Sequence, residues 1–222
     1  MKYPVNFEQA LINNPSPRCP CMLLLDTSHS MSGAPIDELN RGVKQFINEL
    51  KQDEIAAGSV ELGVITFGEH VSEPQEMTAI EDITAVKTFT TYGRTPMGRA
   101  VETALDALEE RKASYKAHAI SYYQPWVVLM TDGAPTDEWQ AAAERLLKLS
   151  AQGKVMVLCI GIGDHANMQV LKMFAKKNVF RLQGLKFNTF FSWLSQSMQR
   201  VSASNPGDGV KYPDAGGWAS IA

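Results

Sequence analysis

Two rhythms of apolar residues alternate along the chain: short, mostly apolar runs, and longer stretches spaced at three and four. Apolar-rich runs at 22–25, 60–67, 126–130, 154–160 and 179–182 predict strands, while Ile36, Leu39, Val43, Phe46, Ile47 and Leu50 fall on one face of a long helix. Met97, Val101, Leu105 and Leu108 mark a second helix, residues 139–149 and 168–175 two more, and Phe190, Phe191, Leu194 and Met198 a last one over 188–201. Such alternation predicts an α/β architecture: a Rossmann-like, doubly wound, mostly parallel central sheet with helices on both faces. It breaks just after Gly68, so residues 70–77 are expected to fold back on 60–67 as one antiparallel edge strand.

The ends read differently. Pro4, Pro15 and Pro17 among polar residues make 1–18 an arm laid along a domain at 19–203, and 204–222 is a Pro/Gly-rich tail. Trp218 in that tail is either an anchor or a detachable contact for another protein. Tyr115, Tyr122 and Tyr123 serve as interface anchors or as cover for a sheet edge, with cover the better supported.

At 222 residues and 45% hydrophobic content the chain suits one domain with a full core. Twenty-one basic residues against 24 acidic ones, a net charge of −3, include no basic stripe, so nucleic acid is not an expected partner. No run of about 18 apolar residues predicts a membrane span, and the first residues lack the apolar core of a secretory signal, which makes a cytoplasmic location the expectation. Three cysteines do not form a disulfide framework. Cys19 and Cys21, stiffened by Pro20, and Cys159 read as core residues.

The chemistry concentrates where strands end. The first run closes on Asp26, followed by Ser28 and Ser30, an oxygen-donor pattern suited to Mg2+, Mn2+ or Ca2+ and short of the nitrogen and sulfur ligands zinc prefers. The run at 126–130 ends in Thr131, Asp132 and Gly133, and in an open parallel sheet the carboxyl ends of different strands converge. Thr95 stands before Pro96 at a helix entrance, where it can cap the helix or reach a metal. Asp132 and Asp137 also have ordinary readings as turn and capping acids. A shared cation is the more economical account of Asp26, Ser28, Ser30, Thr95 and Asp132 together. Gly161-Ile162-Gly163 lacks the third glycine and the lysine of a phosphate loop.

These residues resemble the metal-ion-dependent adhesion site of von Willebrand factor A domains. The segments CPCMLLLDTSHSMSGAPIDELN, ELGVITFG, GRTPMGRAVETALDALEERK and ISYYQPWVVLMTDGAPTDEWQAA, with the closing LQGLKFNTFFSWLSQSM, are similar to the bacterial TerY/YegL-like subfamily across nearly the whole chain. The resemblance implies that Ser28, Ser30 and Thr95 contact the metal, that Asp26 and Asp132 bind it directly or through water, and that an acidic side chain of a partner protein fills the remaining position. It further implies an adaptor in a bacterial stress-resistance or defence system, with a protein kinase and a phosphatase as partners. His29 replaces the glycine common between the two serines, and His29, Arg94 and Asp137 form the expected partner-contact rim. The competing expectation is a metal-dependent phosphohydrolase using Asp26 as nucleophile, which would want a second acid where Ser28 stands. No serine-hydrolase elbow flanks Ser28 or Ser30.

Overall fold

A computed structural model describes residues 14, 16–73 and 77–221. The strands are β1 (Cys19–Asp26), β2 (Val60–Phe67), β3 (Thr78–Ala79), β4 (Trp126–Thr131), β5 (Met156–Ile162), β6 (Val179–Leu182) and β7 (Ala219–Ile221). The helices are α1 (Ala34–Lys51), α2 (Glu54–Ser59), α3 (Met97–Ala117), α4 (Gln140–Ala151), α5 (Met168–Phe174) and α6 (Phe187–Ser202), with short 3-10 turns at His29–Met31 and Ile80–Asp82.

The strands lie in the order β3-β2-β1-β4-β5-β6-β7, and β2, β1, β4, β5 and β6 are parallel neighbours. Because β1 alternates its side chains, Cys19, Cys21, Leu23 and Leu25 pack against α1 and α6, while Met22 and Leu24 pack against α3 and α4. Burial on both faces is why β1 and β4 read as continuous apolar runs. Both wrapped faces fulfil the doubly wound expectation. The three cysteines are free and buried, as the core reading requires, and burial pushes the Cys19 thiol up to about 12.

Two edges differ from the sequence expectation. The antiparallel partner of β2 is the two-residue β3, pairing Glu61 with Ala79 and Leu62 with Thr78, and not a strand over 70–77. Within 70–77 the described residues form one bridge, from Val71 to Phe67, and 74–76 lie outside the described residues. At the other edge the tail returns. β7 pairs antiparallel with β6, and Trp218, 1% exposed, packs its ring against Phe180, Phe190 and Trp193. Trp218 is therefore an anchor, and the sheet has a second antiparallel edge. Of the expected arm, 1–13 and 15 lie outside the described residues, while Asn14 donates to Gly58 O at 2.9 Å.

Below β2 lies a cluster the sequence did not announce. Glu61, 2% exposed, accepts from Arg111 Nε at 2.6 Å and from Tyr115 Oη, and faces Arg18 Nε at 3.1 Å. Tyr115 and Tyr123 are structural, the first wholly buried with the partly exposed Tyr122 against its ring, the second donating from Oη to Ser204 O at 2.7 Å.

Candidate metal centre

Strand order reverses between β1 and β4: the chain leaving β1 crosses to the β2 side, and the chain leaving β4 crosses to the β5 side. A crevice opens outside the carboxyl ends of such a pair, where loops are free to turn inward. Leu25 registers with Met130, which sets Asp26 beside Thr131 and leaves Asp132 one residue above.

Asp26 is wholly buried and both its oxygens are held. Oδ1 accepts from Ser28 N at 2.8 Å, and Oδ2 accepts from Thr131 Oγ1 at 2.5 Å. A hydroxyl relay continues to the rim: Ser28 Oγ lies 3.0 Å from Ser30 Oγ, which donates to Asp132 Oδ1 at 2.7 Å. Burial pushes the Asp26 carboxyl up to about 6, with the Asp132 charge adding to the rise, against the lowering effect of the hydrogen bonds from Ser28 and Thr131.

Thr95, 6% exposed, reaches the same crevice from the loop before α3. Its hydroxyl abuts the Asp132–Gly133 turn, since a Cβ added at Gly133 would lie 3.9 Å from Thr95 Oγ1. Two backbone-side bonds stitch the loops together: Thr95 N donates to Thr136 Oγ1 at 3.0 Å, and Thr136 N donates to Thr95 O at 2.9 Å. Of the two readings of Thr95, the helix cap is not formed. α3 is capped instead by Asp137, which accepts from Gly98 N at 3.0 Å and Arg99 N at 2.8 Å, satisfying two of the helix's orphan donors from a different loop. The approach is so close that a Cβ at Gly98 would overlap Glu138 O, so only glycine serves there. Asp137 is thereby engaged in the scaffold, whereas His29 and Arg94 stand exposed at the rim.

The third loop is equally fixed. Tyr92 N donates to Thr27 O at 2.8 Å and His29 N donates to Gly93 O at 3.1 Å, tying 92–93 to the loop after β1. Gly93 adopts φ +75°, and a Cβ there would overlap the Glu69 backbone. His29 in place of glycine leaves the loop closed, because its backbone lies in a 3-10 turn open to any residue.

The donor set fits a hard divalent ion. Asp26, Asp132, Ser28, Ser30 and Thr95 offer only oxygens, and neither carboxylate has a basic partner among the described residues, so the buried Asp26 charge is uncompensated by the protein. Hydroxyls outnumber carboxylates. That is why no group of three or more His, Cys, Asp or Glu side chains gathers among the described residues.

The model of the von Willebrand factor type A domain matches residues 22–193, from β1 through the middle of α6. The chain belongs to this family. Domains of the family act as metal-dependent adhesion and interaction modules. An uncharacterized protein of Synechocystis, sll0103, is 26% identical over 156 residues, covering 69% of this chain and 34% of its own length. Manganese-loaded TRAP protein of Plasmodium vivax superposes with a TM-score of 0.58 at 23% identity, over 80% of this chain and 73% of that one. Proximal thread matrix protein 1 of the mussel byssus, with a zinc-occupied metal-ion-dependent adhesion motif, gives 0.53 at 22% identity, over 82% and 48%. The chain thus spans about a third of the cyanobacterial relative and about half of the mussel protein. The structural likenesses establish the fold. Among the described residues no helix is long and apolar enough to cross a membrane.

Proposed function

We propose that this domain is a cation-dependent docking module for protein partners. Asp26, Ser28, Ser30, Thr95 and Asp132 would hold Mg2+ or Mn2+, Ca2+ being the third option of the same donor chemistry. When bound, the ion supplies an electrophilic coordination position that an acidic side chain of a partner completes. The chain's own groups do the rest: Thr131 and Ser28 N orient Asp26, Ser30 steers Asp132, and exposed His29 and Arg94 meet the partner around the ion.

The observation that carries the reading is the wholly buried, uncompensated Asp26 joined by a hydroxyl relay to Asp132 at the switch point. It favours docking over hydrolysis by an Asp26 nucleophile, since both Asp26 oxygens are occupied and the residue two positions on is Ser28, bonded to Ser30. In this proposal the module works in the bacterial cytoplasm as an adaptor of a stress-resistance or defence system, bringing together its kinase and its phosphatase. The motif likeness to TerY/YegL-like proteins supports that part of the reading by association.

Calorimetric titration with Mg2+, Mn2+, Ca2+ and Zn2+ should show one site that is lost in Asp132→Ala. Zinc belongs in the panel because the mussel protein carries it in the same type of motif. Capture of partners from a lysate should then require the ion, and capture that survives both chelator and Asp132→Ala would overturn the proposal.

A further inference from the structure

At the opposite end of the sheet from the metal centre lies a cleft of about 620 Å3 between the last turns of α3 and α6. The six residues of β4, roughly 20 Å at about 3.3 Å per residue, separate it from the Asp132 crevice. Its volume falls in the range of small-molecule sites, roughly 300–1,000 Å3. Tyr122 and Tyr212 contribute aromatic surface, Tyr212 lying over buried Trp126, and Lys112, Lys116 and Lys154 contribute ammonium groups.

The charges in the cleft are unevenly matched. Lys112 is 6% exposed, yet its only partner among the described residues is Glu109 Oε1 at 2.5 Å, an acid whose own side chain is half exposed. A lysine ammonium has three protons, so the buried head keeps donors in hand. Asp208, the other acid of the lining, is turned to Asn205, accepting from its N at 3.1 Å and its Nδ2 at 3.2 Å. The ammonium groups of Lys116 and Lys154 have no acidic or hydrogen-bonding partner among the described residues. Two exposed cations that no acid neutralises and a third, buried, with spare donors, beside aromatic walls, match a doubly charged anion carried on a planar ring.

We propose that this cleft binds a small phosphate monoester bearing an aromatic ring, the phosphate meeting Lys112, Lys116 and Lys154 and the ring lying against the tyrosine side. The site is independent of the metal centre.

The probe is adenosine 5′-monophosphate, titrated calorimetrically in excess chelator so that no phosphate can bind through a metal. Saturable binding is expected, with adenosine and inorganic phosphate each weaker by roughly tenfold or more because each offers half of the recognition. Lys116→Gln/Lys154→Gln should weaken the monophosphate by roughly tenfold or more at an unchanged thermal midpoint, since both residues are exposed. Lys112→Met, which keeps the buried stem, should weaken it likewise, and Asp132→Ala should bind as the wild type does. Four results would each overturn the proposal: no saturable heat at about 5 mM monophosphate, phosphate alone binding as tightly as the monophosphate, undiminished binding by the double lysine variant, or loss of binding in Asp132→Ala.

Discussion

Replacing Asp26 with Asn separates the cost of a buried charge from its use. The carboxyl sits at about 6, against an ordinary 3.8, because it is buried without a cation. That gap corresponds to about 3 kcal/mol by which the ionised group disfavours the metal-free fold at neutral pH. The folded state holds the Asp26 proton more tightly than the unfolded chain, so the penalty is absent below about pH 4 and reaches its full size as pH rises through about 6. The asparagine of Asp26→Asn retains an oxygen for Ser28 N and presents an amide to Thr131 Oγ1, a weaker arrangement by about 1 kcal/mol. In chelator at pH 7.5 the variant should therefore unfold about 2 kcal/mol harder than wild type in urea, an advantage that vanishes or slightly reverses near pH 4. With Mg2+ at about a hundredfold excess over its dissociation constant the wild type should gain about 2.7 kcal/mol and the variant nothing. A variant less stable than wild type in chelator at pH 7.5, or one that gains equally from Mg2+, would refute the reasoning.

Glu61→Gln should destabilise by about 3–5 kcal/mol, because it strips the carboxylate from between the buried Arg18 and Arg111 guanidiniums. Thermal unfolding would register this as a fall of roughly 10 °C, and a loss under about 1 kcal/mol would show the cluster to be dispensable. Trp218→Ala should cost about 3–5 kcal/mol and free β7. Hydrogen exchange at Gln183 N, which donates to Trp218 O at 2.9 Å, should quicken well beyond that of the central strands.

Local order was legible where one segment decides its own structure. The runs closing on Asp26 and Asp132 stand out because strands buried on both faces have no polar alternation, and the acids that end them mark the crevice. Spacing at three and four placed α1 and α6 within a residue or two and found the start of α3, whose apolar marks stop at Leu108 although the helix runs on to Ala117. Long-range partnerships stayed hidden. Nothing near Asp137 says that it caps a helix some forty residues earlier, and nothing near Glu61 announces two arginines from other elements. α2 is six residues, too short for periodicity to show, and β3 and β7 have two and three. Thr131 drew no role of its own in the sequence, yet it is the hydroxyl that fixes Asp26 Oδ2. A polar residue ending a strand beside the registered aspartate was the signal for it.

The two shortest strands bear on how the molecule keeps company. A wide sheet bounded by long bare ladders would invite stacking with its own kind, as open rows of amides and carbonyls recruit foreign backbone. Here the row ends in two residues on one flank and three on the other, the latter pinned by an indole. Along the flank that the indole pins little template remains, which leaves side chains at the loop tips, and not a generic backbone pattern, to discriminate one visitor from another.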